Sequence, residues 1–429
     1  MLKHKYTSTL LLCTTIFLFS VSFAFSQTPK DSTAAVNDSI KKANFLNRLG
    51  NGFFPTKFLD IDLRYLVKFN QYEGLRSGLG GQTSNEFSDK YRINAYLVYG
   101  FVDKKSKYSI GGGVRVAPKT NTWINLSYTD DLQETGSTQF ILDKRFFQFF
   151  EPRLLNIDLF HKHITTKLSV EHEISPKLLT ETQFSTSNIS PTYSYNFEAN
   201  NTVYHAFEVS LAKVAFQYNP FDKFDIKDGK QTLIKSGFPK FTLQYTKSFK
   251  DVLGADFNFS KVDFRTIQKF NYNNKANTLL TLTAGFAHGD TPLTHLYHAY
   301  PNNIRKETIM QRFSVAGINS FETMFFNEFF SDRFTSFIVK HYFAPFKITE
   351  RYQPQLVLIS RYALGNMNNI NRHQNLDFNT LDKGYTETGF EINKLLFGFG
   401  LSATYRYGAY HLPKEEDNVA VKFTFNITL

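Results

Sequence analysis

The chain has 429 residues and one cysteine, Cys13, which lies within the apolar stretch Leu10 to Phe25. Lys3 and Lys5 precede that stretch. Ala24-Phe25-Ser26 follows, with small residues at the two positions a signal peptidase reads. Residues 1–26 therefore read as a cleaved secretory signal peptide rather than an anchor. Leu10, Leu11 and Leu12 before Cys13 are not the small residues of a lipoprotein signal. A mature chain beginning near Gln27 has no cysteine, which excludes disulfides, thiolate metal sites and a cysteine nucleophile. Past the leader no run approaches the ~18 apolar residues of a spanning helix. The Gly-x-Ser-x-Gly elbow of serine hydrolases is missing. His295-Leu296-Tyr297-His298 lacks the glutamate of a zinc-protease helix, and Gly111-Gly112-Gly113 lacks the Lys-Ser/Thr pair of a phosphate loop.

Acidic residues are in the minority, 38 against 49 Lys+Arg, for a net charge of +11. Loss of the leader with its two lysines lowers this to +9. No basic run exceeds three residues, so nucleic acid is not indicated. Scattered lysines suit lumenal faces, loops and contact with lipopolysaccharide phosphates.

What the chain has in excess is aromatic. It carries 47 Phe and 23 Tyr at a mean hydropathy of −0.31. A sequence hydrophilic on average yet so aromatic fits a membrane barrel with aromatic girdles. The last ten residues show the pattern most clearly. Val421, Phe423, Phe425, Ile427 and Leu429 alternate with Ala420, Lys422, Thr424, Asn426 and Thr428. Period-2 alternation is a strand with different surroundings on its two faces, and a tilted strand crosses a bilayer in about 9–11 residues. Phe423, Phe425, Ile427 and Leu429 form the apolar last strand that outer-membrane assembly machinery would read.

The alternation recurs. Ile61, Leu63, Tyr65, Val67 and Phe69 share one face of a strand over 60–69. So do Tyr91, Ile93, Ala95, Leu97, Tyr99 and Phe101, then Tyr108, Ile110, Val114 and Val116, then Ile124, Leu126 and Tyr128. Further strands are expected at 164–174, 178–187, 203–218, 241–247, 255–270, 278–287, 321–330, 334–343, 356–363, 385–392 and 399–407. Residues 221–237 read as a charged connector, and 288–310 as the longest segment without strand pattern. The expectation is an all-β fold, a single transmembrane antiparallel β-barrel of about 16 strands, over residues 59–429. Residues 27–58 read as a flexible periplasmic lead-in.

Several segments carry a resemblance: 218–224 (Tyr-Asn-Pro-Phe-Asp-Lys-Phe), 238–247, 252–257 and 327–334. Together they resemble the C-terminal barrel of a domain-of-unknown-function family of Gram-negative outer membranes. In that family a carboxypeptidase-regulatory-like β-domain precedes the barrel; here only about thirty residues separate leader and first strand. Glu73-Gly74-Leu75-Arg76 and the barrel size more distantly resemble the outer-membrane insertase and two-partner-secretion barrels. Those barrels carry periplasmic polypeptide-binding repeats with no counterpart in this sequence, so their activity is not implied.

Candidate chemistry is sparse. His161 and His163 share a strand face with His172 nearby, and could grip a metal, but spacing fixes no third ligand. His288, Asp290, His295 and His298 lie in a long loop, and loop histidines could serve a phospholipase or protease. Glu328, Asp332 and Arg333 interrupt an aromatic stretch. They read as a lumenal charge network, with Arg333 paired to a lumenal carboxylate. The leading reading is a non-enzymatic outer-membrane barrel, structural or transport-related, without cofactor or metal. Its partners would be outer-membrane lipid, lipopolysaccharide and the barrel assembly machinery. The alternatives are a porin-like channel, a hydrolase using His295 and His298, and a secreted soluble β-protein.

Overall fold

In a computed structural model, residue 45 and residues 48–143, 152–227, 230–273, 275–349, 352–396 and 398–425 are described. The leader, residues 426–429 and the side chain of Phe425 lie outside them.

One antiparallel meander makes the wall. Its first full strand, β1, comes in two pieces, Leu59–Asp62 and Val67–Asn70, both paired with β2 (Gly74–Thr83), and Phe53–Pro55, within the expected flexible lead-in, already pairs antiparallel with Leu59–Asp62. Then follow β3 (Tyr91–Gly100), β4 (Lys105–Ala117), β5 (Thr122–Glu134), β6 (Phe160–Ser175), β7 (Leu178–Pro191) and β8 (Phe207–Tyr218). Next come β9 (Lys240–Ser248), β10 (Phe259–Asn271), β11 (Asn277–Gly289), β12 (Arg333–Tyr342) and β13 (Gln355–Asn366). β14 (Tyr385–Leu396), β15 (Phe399–Tyr407) and β16 (Val419–Phe425) complete it. Each strand pairs with the next in sequence order.

The two faces of this wall decide its solvent. On β13, Leu358, Tyr362 and Leu364 are exposed, whereas Arg361 between them is 1% exposed. On β3, Tyr91, Ile93, Leu97 and Tyr99 are exposed while Val98 is buried. Outward apolar and inward polar is the reverse of a soluble core and is the signature of a barrel in lipid. The fold is thus an all-β transmembrane barrel of about 16 strands.

β1 departs from the expected single face. Asp62 accepts from the Arg64 amide and caps a turn over Leu63–Tyr65, which breaks the two-residue period. Tyr65 consequently turns inward and stacks on Tyr96 of β3, ring centroids 4.1 Å apart. Gly80 makes room for this: a Cβ there would overlap the Tyr65 ring.

Because strands alternate in direction, the connections sort into two groups. Short turns such as 118–121 and 176–177 lie at one end, with the longer connections 219–239 and 343–354, the beginning of β1 and the end of β16. At the other end lie 135–159, 192–206, 249–258, 290–332, 367–384 and 408–418. These long connections build a cap. Asn196–Ala199 pairs with Thr202–Tyr204 and with His373–Gln374. Beneath it lies an apolar cluster that includes Tyr195, Phe197, Phe257, Leu293, Leu296, Phe329 and Phe330. The region 221–237, expected as a connector, contains a hairpin of Lys223–Lys227 with Lys230–Lys235. The strand expected over 203–218 begins at Phe207, because Thr202–Tyr204 belongs to the cap.

Candidate functional site: a loop folded into the lumen

The largest correction concerns residues 321–330. They are not a wall strand. Phe321–Phe325 is buried at every position and pairs in parallel with Pro301–Asn303, both inside the 290–332 connection between β11 and β12. Being enclosed on all sides removes the reason for alternation, so the stretch is aromatic without period.

Carboxylates on this loop meet cations on the inner wall. Glu322 receives Lys422 of β16 at 3.1 Å, with Asn302 Nδ2 at 2.8 Å, Ser320 Oγ at 2.7 Å and the Gly317 amide at 3.0 Å. Glu328 receives a bidentate Arg406 of β15 at 2.7 and 3.1 Å and the Phe325 amide at 3.0 Å. The loop backbone is also held: the Glu322 and Thr323 amides both donate to Glu387 of β14 at 2.9 Å. Arg361 of β13 holds Glu387 from the other side at 2.8 Å. Lys340 of β12 donates to the Ile318 carbonyl at 2.6 Å. Five consecutive strands, β12 to β16, thus grip one loop segment. Charges buried this deeply are tolerated only when paired and hydrogen-bonded; each is paired here, although the Arg361 and Arg406 Nε atoms are left without a hydrogen-bond partner.

Of the three charges singled out in the sequence, Glu328 points into this clamp. Asp332 accepts from the Asn368 amide at 2.7 Å. Arg333 does not reach Glu328: it is 44% exposed, donates to Asn368 Oδ1 at 3.1 Å and lies 4.0 Å from Asp332. Its outward side follows from register, since Arg333 opens β12 opposite Phe286, an exposed residue of β11. Arg361, Glu387, Arg406 and Glu322 were missed. The available signal was a charge at an inward position of an alternating strand, as at Arg361. On the last strand, Phe423 is exposed on the lipid side and Phe425 pairs through its backbone with Phe399. Ile427 and Leu429 lie outside the described residues.

The histidines divide among separate partners. His161 Nδ1 meets Thr135 Oγ1 at 3.1 Å and His163 Nδ1 meets Thr165 Oγ1 at 2.8 Å, with the rings 6.5 Å apart. His172 bonds Thr122 at 2.8 Å. His288 is exposed and stacks on Phe286, while Asp290 pairs with Arg372 at 2.6 Å. His295 bonds Thr294 and packs on Phe259. His298 Nε2 meets Glu134 at 2.7 Å, and Arg153 meets the same carboxylate at 2.6 Å. Burial pushes His298 below the usual imidazole range, and Glu134 opposes that shift. Among the described residues no group of three His, Cys, Asp or Glu is disposed to hold a metal.

An outward apolar belt, an inward polar face and a lumen entered by its long connections define an outer-membrane β-barrel. More particularly, residues 57–346 match the model described as "Family of unknown function (DUF5686) C-terminal domain", and the chain belongs to that family. Among solved structures it is similar to BamA from Haemophilus ducreyi lacking POTRA domains 1-3. That likeness has a TM-score of 0.50 and 11% identity, over 93% of this chain and 79% of the other. OmpT, an outer membrane protein of Vibrio cholerae, matches at a TM-score of 0.32 and 9% identity, over 83% and 99% of the two chains. No curated protein sequence matches.

Proposed function

We propose that this is a non-enzymatic integral outer-membrane barrel, exported by cleavage after Ser26, whose lumen is stoppered by residues 290–332. The role is structural or transport-related, and the resting state is closed. The observation that supports this most directly is the clamp of Glu322 and Glu328 by Lys422 and Arg406. It holds a loop of the long-turn end deep in the lumen. An open porin would keep that space for water. The separate partners of His295 and His298 speak against a loop-histidine hydrolase. Long turns face the outside in such barrels, where lysines would meet lipopolysaccharide, and Phe423, Phe425, Ile427 and Leu429 would serve as the signal to the assembly machinery.

Planar-bilayer recording of purified protein tests the closed state. The wild type should give no sustained conductance, and the double variant Glu322→Gln, Glu328→Gln should give opening events. A steady ohmic pore in the wild type would overturn the reading.

A further inference from the structure

Away from the clamp, on the opposite arc of the wall, the lumen contains a cavity of about 360 Å³. Its wall includes Lys167, Lys213 and Lys261, with His161, His163 and His295 toward the cap. The register explains how they meet. Ser169, Gln183, Lys213, Thr246 and Lys261 form one lateral row across β6, β7, β8, β9 and β10. Lys213 and Lys261 are two strands apart, about 10 Å between backbones, so both ammonium groups can reach one small ligand between them. Lys167 stands one inward position nearer the cap on β6.

The charges here do not cancel. The carboxylate in this cavity wall is Asp263, and it is already engaged. It accepts from Tyr297 Oη at 2.6 Å and Gln244 Nε2 at 3.3 Å, with Lys261 Nζ at 3.9 Å. In the row below, Glu181 accepts from Gln183 at 2.7 Å and Glu171 pairs with Arg92. Among the described residues, no carboxylate lies within 4.0 Å of the Lys167 or Lys213 ammonium. Unpaired cations in a walled space favour an anion strongly, because the low-dielectric walls focus their field. The rest of the wall supplies neutral hydrogen-bonding groups: Thr165, Ser185, Ser187, Thr246 and Gln183.

We propose that this chamber is a binding site for a phosphoryl group carried by a small soluble molecule. A phosphoryl group brings close to two negative charges and several acceptor oxygens, which matches three lysines and a hydroxyl-lined wall. The volume suits a compact phosphate monoester. Toward the short-turn end a second cavity of about 510 Å³ shares Lys167 in its wall, which offers the ligand an approach along β6 rather than along β9. On the short-turn side of that row, against β9, the segment 137–141 forms part of the floor: the Ile141 amide donates to Gln244 Oε1 at 3.0 Å, and Gln244 Nε2 donates to the Gln139 carbonyl at 3.2 Å.

Trp123, the sole tryptophan, lines the second cavity and provides a reporter alongside calorimetry. Detergent-purified full-length protein would be titrated with inorganic phosphate, with glycerol 3-phosphate, and with phosphatidylglycerol vesicles, each against sodium chloride of equal ionic strength. Saturable binding of the two soluble phosphates is expected. Lys213→Met and Lys261→Met should each weaken it about ten-fold or more; Lys213→Arg and the exposed-turn variant Lys119→Ala should retain it. Retained heat-modifiable migration shows that each variant is folded. Absence of saturable phosphate binding, equal effect of chloride, binding confined to vesicles, or indifference to Lys213→Met would each overturn the site.

Discussion

Arg361 and Glu387 face one another directly across the β13–β14 ladder, 2.8 Å apart and 1% and 0% exposed. Glu387 uses its remaining acceptor capacity on the Glu322 and Thr323 amides and on Thr323 Oγ1. The pair therefore joins wall to loop. Removing one member leaves an uncompensated buried charge, which costs about 3–5 kcal/mol. Arg361→Met should lower the thermal midpoint markedly. Arg361→Met with Glu387→Met should lower it by less than the sum of the singles, measured by a double-mutant cycle in detergent. Additive losses would show that the two do not act together.

The lipid face allows a paired comparison. Leu126 on β5 is 59% exposed, and the neighbouring Ser127 points inward. Leu126→Arg should destabilise insertion by about 2–4 kcal/mol, whereas Ser127→Arg should cost clearly less. Folding yield into vesicles reads the difference, and equal yields would contradict the assignment of faces.

Close approach to backbone gives a third expectation. A Cβ on Gly285 of β11 would overlap the Tyr297 ring, whose hydroxyl donates to Asp263 at 2.6 Å. Gly285→Ala should destabilise by about 1–3 kcal/mol through overpacking. It should also expose the 290–332 loop to protease. Unchanged cleavage would show that Tyr297 does not anchor that loop.

Acidification should loosen the cap. His373 bonds Tyr195 Oη at 2.8 Å, and burial, with Arg372 nearby, lowers its pKa to about 3. Burial lowers His295 and His298 as well. When the cap opens, each imidazole returns to about 6.5 and binds a proton more readily than when docked. Cap stability is thus fully present above about pH 6.5 and is lost as pH falls toward about 3. Protease sensitivity of 367–384 should rise over that window. His373→Gln should flatten the profile, and an unaltered slope in that variant would remove His373 from the account.

The wall was legible in the sequence because each of its strands has one face in lipid and one in a polar lumen. Tyr91 to Tyr99 and Leu358 to Leu364 print that asymmetry residue by residue. The clamp was not legible for the opposite reason. Phe321–Phe325 is enclosed on both sides and reads as an aromatic run, so it passed for wall. Glu328 stood out as a charge among phenylalanines, but Arg406 is 78 residues away, and only the strand order brings it near. Tyr65 was misplaced because a single capped turn resets the period. The basic chamber shows the same limit: Lys167, Lys213 and Lys261 sit on three different hairpins and become neighbours only through register.

The contact of Ser314–Val315 with β16 has a bearing on biogenesis. These residues lie parallel to Lys422 and Phe423, and the Ala316 amide donates to the Phe423 carbonyl at 2.7 Å. A loop midway through the second half of the chain is thereby fastened to its final strand. Contacts between parts so distant in sequence form slowly, so the stopper is expected to seat only once β16 is in place. A seam that must wait for β16 makes this contact a late checkpoint on the seating of the loop.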